Sequence, residues 1–555
     1  MHTPCRIPLF CLTTVLLLAG CYQAPIAALP VLPTAPAVSA FAPTVAGNAT
    51  AQPTPAPGAS APVTGGIPLK DALPLLSPPD VWQNFYNITQ VPRPSGHLDQ
   101  IRSFLVNFGK GLNLDTTVDQ AGNVLIHKPA SKGMENRPGV VLQAHMDMVA
   151  QGRPGKDFDP LTDPIQAYVA GDWVHADDTT LGADDGMGLA IIMALLQRRD
   201  LAAPAIEALF TVDEETSMSG INGLGTGELH GSNYVNLDQH EEGHFVIGSA
   251  GGLTAQSSLA YQAVPLGTGT FAAYTVTVTG LTGGHSAMDI DKGRGHAVKL
   301  LVRLLSPAGE QFGLRLASLQ GGTAKNAIPV EANALVVLYS AQVPPFTAYL
   351  KDFEATVRKE LAATEPNLAV KWVTATLPSQ VMSLAGQEKV LDALYANPQG
   401  VLRMSDTVSG LVETSNNLGV VTAQNGHVQA TNMSRSAVDS ALLDAGAMVT
   451  SVWDLAGGQS AITGHTSPWT LNPDSALLGL FMDTYRQLYG VDANYTAIHA
   501  GLECGAVSGM YPQMDIIALG ETVADAHALT ERVQVSTVPR VVDVLAAVLG
   551  QIPAQ

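Results

Sequence analysis

Four apolar runs in this chain each lead into acids or a histidine, and that repetition limits the possible folds more than any other feature. Val140-Val141-Leu142 leads into Gln143-Ala144-His145-Met146-Asp147, and Ile206 to Val212 into Asp213-Glu214-Glu215. Tyr234-Val235-Asn236-Leu237 leads into Asp238, and Asp515 to Gly520, after a loop, to His527. Short continuous apolar runs of this kind read as strands buried on both faces, the habit of parallel sheets. Between the first two lies Leu181-Gly182-Ala183-Asp184-Asp185-Gly186, and then a helical stretch, Met187 to Arg199. The class is therefore α/β. In open α/β sheets the ligand sits beyond the carboxyl ends of the strands, so residues far apart in sequence can converge there.

The converging set is His145, Asp147, Asp184, Glu214, Glu215, Asp238 and His527. It offers carboxylate oxygens and imidazole nitrogens without thiolate, a mix that suits zinc, manganese or cobalt. Two residues apart on a strand, His145 and Asp147 share a face. Asp147 can then accept from the far ring nitrogen of His145 and fix its orientation. Adjacent Glu214 and Glu215 can divide metal binding and proton transfer between them. Taken singly, each acid reads more simply as a solvated side chain; the set at strand ends carries the inference. His175, His230 and His240 have no place in it and read as structural or exposed. With 28 Lys and Arg against 48 Asp and Glu, a net charge of -20, the chain lacks the basic surface a nucleic-acid partner needs. Cys504 is the lone cysteine beyond the N-terminal stretch and reads as a small buried thiol rather than a nucleophile.

The N-terminus reads MHTPCRIPLFCLTTVLLLAGC. Its apolar run, Ile7 to Leu18, is short for a membrane span and fits a signal-peptide core. The run ends in Leu18-Ala19-Gly20-Cys21, which resembles the bacterial lipobox. The expectation is a lipoprotein signal peptide over 1–20 and a lipid on Cys21 that provides the only membrane contact. That places the chain in the bacterial cell envelope, at the outer membrane or periplasmic face rather than the inner membrane, since Tyr22 follows the cysteine. Residues 22–67 carry no charge and are rich in Pro, Ala and Thr. A Pro/Ala-rich disordered linker is expected over 21–68.

The segments AHMDMVAQ, TTLGADDGMG, LFTVDEETSMSG, NLDQHEEGHFVIGSAGG, GLTGGHSAMDIDKGRG, NAIPVEA and HAGLECG resemble the M20 metallopeptidase family. Within it they are most similar to the aminoacyl-histidine (Xaa-His) dipeptidase group, over Pro78 to Val542. The resemblance implies a zinc-peptidase-like catalytic domain with a mixed, mainly parallel sheet, in two parts, 69–251 and 459–555. Between them, at 252–458, it implies an inserted α+β ferredoxin-like lid and dimerisation domain. Local patterning agrees: strand, helix, strand, strand, helix, strand over 272–281, 295–305, 312–319, 327–339, 347–363 and 368–376. A helix at 387–395, strands across 410–430 and a helix at 437–455 follow.

By resemblance two divalent ions, zinc foremost with manganese or cobalt as alternatives, would share Asp184. His145 and Asp238 would complete one site, Glu215 and His527 the other. Glu214 would be the general base acting on a water activated by the ion pair, Asp147 its support, and the peptide bond after Asp184 cis. On the lid, His285 would donate to the developing oxyanion, while Asn326 and Arg435 would grip the substrate carboxylate through the bidentate fork arginine provides. His499 and Glu503 would line the pocket for the amino end. The implied activity is hydrolysis of dipeptides, Xaa-His or broader, by a homodimer. A tripeptidase or N-acyl amino acid amidohydrolase of the same fold is the alternative enzyme. A non-catalytic peptide-binding surface lipoprotein is the alternative from another class, which would have no use for Glu214. One departure stands out: after His527 the chain reads Ala528-Leu529-Thr530-Glu531-Arg532, where relatives of the dipeptidase type have Ser-Pro-Asp-Glu-Arg. That puts the geometry of this loop, and substrate choice, in question.

Overall fold

A computed structural model describes residues 66–554. The signal peptide, Cys21 and nearly all of the 21–68 linker lie outside the described residues. No helix among the described residues is long and apolar enough to cross a membrane.

The first of two large sheets has eight strands. In spatial order they are Asp115–Val118, Val124–Lys128, Ile206–Thr211, Val140–His145, Asn233–Asn236, Asp515–Ala518, His244–Ser249 and Asn494–Ile498. The four central strands, from Ile206–Thr211 to Asp515–Ala518, run parallel, and antiparallel neighbours flank them. The sheet is thus mixed around a parallel centre, as the apolar runs require. Every residue of Val140–His145 and Ile206–Thr211 is buried, which explains why these strands show no alternation. One cover is Ala183–Gln197, a helix buried on all sides that packs on Val140–His145 and on the helix Pro79–Thr89. Because the central strands are parallel, their carboxyl ends share one edge. His145 is the last residue of its strand, and Glu214, Asp238 and His527 follow the ends of three others.

The second sheet is antiparallel throughout and has its own hydrophobic core. Its first half orders Ala369–Ala375, Phe271–Thr279, Ala332–Tyr339 and Arg315–Gly321, with the helices Ala297–Phe312 and Val343–Glu360. That is the ferredoxin-like arrangement. Its second half continues through Val412–Gln424, His427–Ser436, Gly251–Ala260 and Gln459–Thr466, with the helices Leu384–Ala396 and Asp439–Leu455. The halves join where Leu319 lies opposite Ala423 and Gly321 opposite Val421. Beside this joint Gly419 approaches the backbone of Lys325; a Cβ there would lie 2.5 Å from the Lys325 Cα. Any side chain would push the halves apart.

The chain passes between the two sheets twice, side by side. Ser249 and Trp469 exchange backbone hydrogen bonds of 3.0 and 3.1 Å, and Gly252 lies opposite Thr466. A Cβ on Gly251 would come within 2.3 Å of the Thr466 carbonyl oxygen, so the pair can approach this closely only with glycine there.

Candidate metal and substrate site

At the shared strand edge, Asp184 presents one oxygen to each of two groups. Its Oδ1 lies 3.0 Å from His145 Nε2, and Asp238 Oδ1 lies 3.9 Å from the same nitrogen. Its Oδ2 lies 3.1 Å from His527 Nε2, which is 2.8 Å from Glu215 Oε2. His145, Asp184 and Asp238, and separately Asp184, Glu215 and His527, each bring ligand atoms within 4.8 Å of one another. The peptide bond Asp184–Asp185 is cis. His527 has φ of 64°, an uncommon conformation for a side-chain-bearing residue, held at a functional point.

These donors fit a pair of divalent cations. The Glu215 side chain is only 5% exposed, yet its Oε1 is buried with no hydrogen-bond partner. Such an orphan oxygen among acids is a cost unless a cation meets it. Without a cation the acids hold protons on the imidazoles. Hydrogen bonds to Asp184 and Glu215 raise His527 to about 10. His145 stands well above the imidazole range: burial opposes its charge, but Asp147, Asp184 and Asp238 outweigh burial. Divalent metal takes these ligands deprotonated, exchanging their protons for a denser positive charge. Members of both groups come from oxygen and imidazole donors alone, the set expected for zinc, manganese or cobalt.

Asp147 is wholly buried and orders its neighbours. Its Oδ1 accepts from the Glu214 N–H (3.0 Å), and its Oδ2 from Ser95 Oγ (2.7 Å) and the Glu215 N–H (3.3 Å). His145 Nδ1 is 3.4 Å from Asp147 Oδ1. Burial works against its charge, yet the bond with His145 holds its carboxyl below the usual range. Glu214 points the other way: burial pushes its carboxyl well up, and Asp238, Glu503 and Glu215 add to this against the imidazole of His145.

Two supports were given no site role from the sequence, although Glu531, with Arg532, is kept from the loop pattern of the dipeptidase type. Arg93, buried beneath the site, donates to the carbonyls of Met146 (3.2 Å), Asp147 (2.6 Å) and Gly182. Glu531 accepts from four consecutive backbone N–H groups, Leu181, Gly182, Ala183 and Asp184, at 2.8, 2.9, 2.8 and 3.3 Å. It holds the turn that carries Asp184, which gives a physical reason for a glutamate in the otherwise altered loop after His527. Glu531→Ala leaves four buried donors without their carboxylate. We expect a lower urea midpoint, equivalent to about 3 kcal/mol, with a smaller loss in Glu531→Gln. An unchanged midpoint in both would mean that the turn holds itself.

The expected substrate residues form a second cluster. The backbones of His285 and Ala327 pair, and the Ser286 N–H donates to the Asn326 carbonyl (2.8 Å). Asn417, from the other half of the sheet, donates to the carbonyls of Lys325 and Ala327, both at 2.9 Å. Arg435 is 8% exposed, and its buried Nε has no partner; burial lowers it to about 10. His499 hydrogen-bonds Ser415 Oγ at 2.7 Å across the two sheets, and burial, with Arg435 nearby, lowers it to about 4. No hydrogen bond or ion pair among the described residues joins His285, Asn326, Arg435 or His499 to the first cluster. Glu503 lies apart from them, fully buried behind the strand ends. It accepts from Gln143 Nε2 (2.6 Å) and Thr211 Oγ1 (2.8 Å), and burial raises it to about 8. Cys504 is buried and its thiol is pushed well up by burial, the opposite of an activated nucleophile.

One histidine departs from the sequence reading. His240, expected to be structural or exposed, puts its Nε2 3.6 Å from Asp184 Oδ2 and 3.5 Å from Asp238 Oδ1. It sits in a polar stretch, Gln239-His240-Glu241-Glu242, with no apolar pattern to mark it.

The sequence model of peptidase family M20/M25/M40 matches residues 141–551. The cytosol non-specific dipeptidase of Escherichia coli is 38% identical over 482 residues, 86% of this chain and 99% of that protein. The crystal structure of aminoacylhistidine dipeptidase from Vibrio alginolyticus superposes with a TM-score of 0.81 at 38% identity, covering 87% of this chain and 98% of that one. Aminopeptidase PepT from Bacillus cereus shares the fold at a TM-score of 0.51 and 12% identity, over 86% and 99% of the two chains. These comparisons correct the lipid-anchored envelope location. The Escherichia coli relative is named for the cytosol. The expectation rested on a short N-terminal pattern that lies outside the described residues.

Proposed function

The chain belongs to peptidase family M20/M25/M40, and on that premise we propose that it is a metal-dependent dipeptidase whose residues act as follows. The observation that carries the reading is Asp184, with one oxygen turned to each of two acid–imidazole groups. His145 and Asp238 would hold one divalent ion, Glu215 and His527 the other, and Asp184 both, with zinc the first candidate. Such a pair polarises the peptide carbonyl and makes a neighbouring water acidic enough to act near neutral pH.

Glu214 takes the proton from the attacking water and passes it to the leaving amine. Asp147 holds the Glu214 backbone and the His145 ring in place, through bonds that involve neither substrate nor solvent. We assign 69–251 and 467–555 to the catalytic domain and 252–466 to a lid, the expected boundary at 458 moving because the strand Gln459–Thr466 pairs within the second sheet. From the lid, His285 donates to the oxyanion, and Arg435 with Asn326 takes the substrate's free carboxylate. The unpartnered buried Nε of Arg435 supports this, since a planar fork left open suits a carboxylate. His499 would bound the amino end, whereas Glu503, expected beside it, is buried and taken up by Gln143 and Thr211.

A carboxylate clamp limits substrates to those ending just past the scissile bond. The metal-loaded protein is therefore expected to cleave dipeptides, and their C-terminal amides about 10²-fold more slowly in kcat/KM. Arg435→Ala should slow free dipeptides by a similar factor and erase the preference over amides. Silence toward every dipeptide, with turnover of tripeptides or N-acyl amino acids, would replace this reading by the other activities of the fold.

A further inference from the structure

We propose that His240 is a sixth protein ligand of the metal centre, donating Nε2 to an ion held between Asp184 and Asp238. This rests on the two-ion reading above. The first argument is distance. His240 Nε2 lies 3.6 Å from Asp184 Oδ2 and 3.5 Å from Asp238 Oδ1. A hydrogen bond between nitrogen and oxygen spans 2.7–3.2 Å. Two donors on one tetrahedral ion, with bonds of 2.0–2.2 Å, stand about 3.3 Å apart. Both separations exceed a hydrogen bond, and the 3.5 Å to Asp238 Oδ1 suits the edge of one coordination polyhedron; Asp184 Oδ2 is the oxygen turned to the other group. Both separations also fall within those seen between the expected ligands, from 2.8 Å for His527 and Glu215 to 3.9 Å for His145 and Asp238.

The second argument is that the nitrogen has nothing else to do. His240 Nε2 is buried and has no hydrogen-bond partner, although its ring is about one third exposed at the other end. The third is that the backbone is built to hold it there. Gly520 packs against the turn, where a Cβ would lie 1.9 Å from the Gln239 carbonyl oxygen. The Val523 N–H donates to the His240 carbonyl at 3.3 Å. The turn carrying His240 is thus fastened to the same loop that carries His527. A third imidazole adds a neutral nitrogen donor to a centre rich in carboxylates, which favours zinc and cobalt over manganese.

The test uses the full chain, stripped with a chelator and reloaded. In the cadmium-113-loaded, nitrogen-15-histidine-labelled protein, scalar coupling to the metal is expected on three imidazoles: His145, His527 and His240. In His240→Ala the coupling on the third should vanish. Competition against a chromophoric chelator should show one of two zinc-binding steps weakened on the order of 10–100-fold. A control, His244→Ala, should leave both steps unchanged. Two bound ions with only two coupled imidazoles in the parent would overturn the proposal and leave the dinuclear reading standing. A histidine that merely positions Asp184 and Asp238 gives this result even if His240→Ala weakens binding. Failure of the parent to bind two ions would remove both.

Discussion

Glu214→Ala is expected to bind both metal ions with unchanged affinity and to lose 10²–10⁴-fold in kcat, the usual contribution of a general base. The side chain belongs to neither donor group, so its removal takes no ligand from the centre. Its backbone position does not depend on its side chain, because Asp147 accepts from the Glu214 N–H whatever residue stands there. The measurement is steady-state turnover of a dipeptide beside metal content by mass spectrometry of the same preparation. Full turnover with full metal would remove Glu214 from the mechanism. Loss of metal would show that it is a ligand. A protein that only binds peptides would keep its peptide affinity in this variant and have no turnover to lose.

Asp184→Ala should do more. Each of the other expected ligands touches one group, whereas Asp184 gives Oδ1 to one and Oδ2 to the other. Its removal takes an anionic donor from both ions at once and leaves acids facing each other without a shared cation. Metal content should fall from two ions to less than one per chain, and turnover by on the order of 10⁴-fold or more. Asp238→Ala and Glu215→Ala, by contrast, should each weaken one ion more than the other. If Asp184→Ala retains two ions, the shared-carboxylate arrangement is wrong. The fold should survive, since the turn carrying Asp184 is held by Glu531 through backbone groups that remain.

Much of this was legible because parallel strands write themselves plainly. A strand buried on both faces must be apolar along its length, so a histidine or an acid at its end stands out. His145, Glu214, Glu215 and Asp238 were found that way. Arg93 and Glu531 were not, although both are buried and hold the site together. Their partners are backbone carbonyls and N–H groups, which every residue has, so no local pattern announces such a contact. The strand Gln459–Thr466 also escaped, because it lies largely exposed at a sheet edge and shows no alternation. His240 was passed over for a third reason. Its significance lies in two oxygens, one of them more than fifty residues upstream on Asp184, and a charged turn is the ordinary setting of a solvated histidine.

The side-by-side crossing at Ser249 and Trp469 limits how the second sheet could move against the first. A two-ply ribbon bends and twists but does not slide, because sliding would break the reciprocal bonds between its plies. Nor can the two halves beyond it swing separately, since one unbroken sheet spans them and Asn417 laces the Asn326 loop to the opposite half. Arg435 and His285 therefore sit on one continuous sheet, and any bending at the crossing would carry the two together.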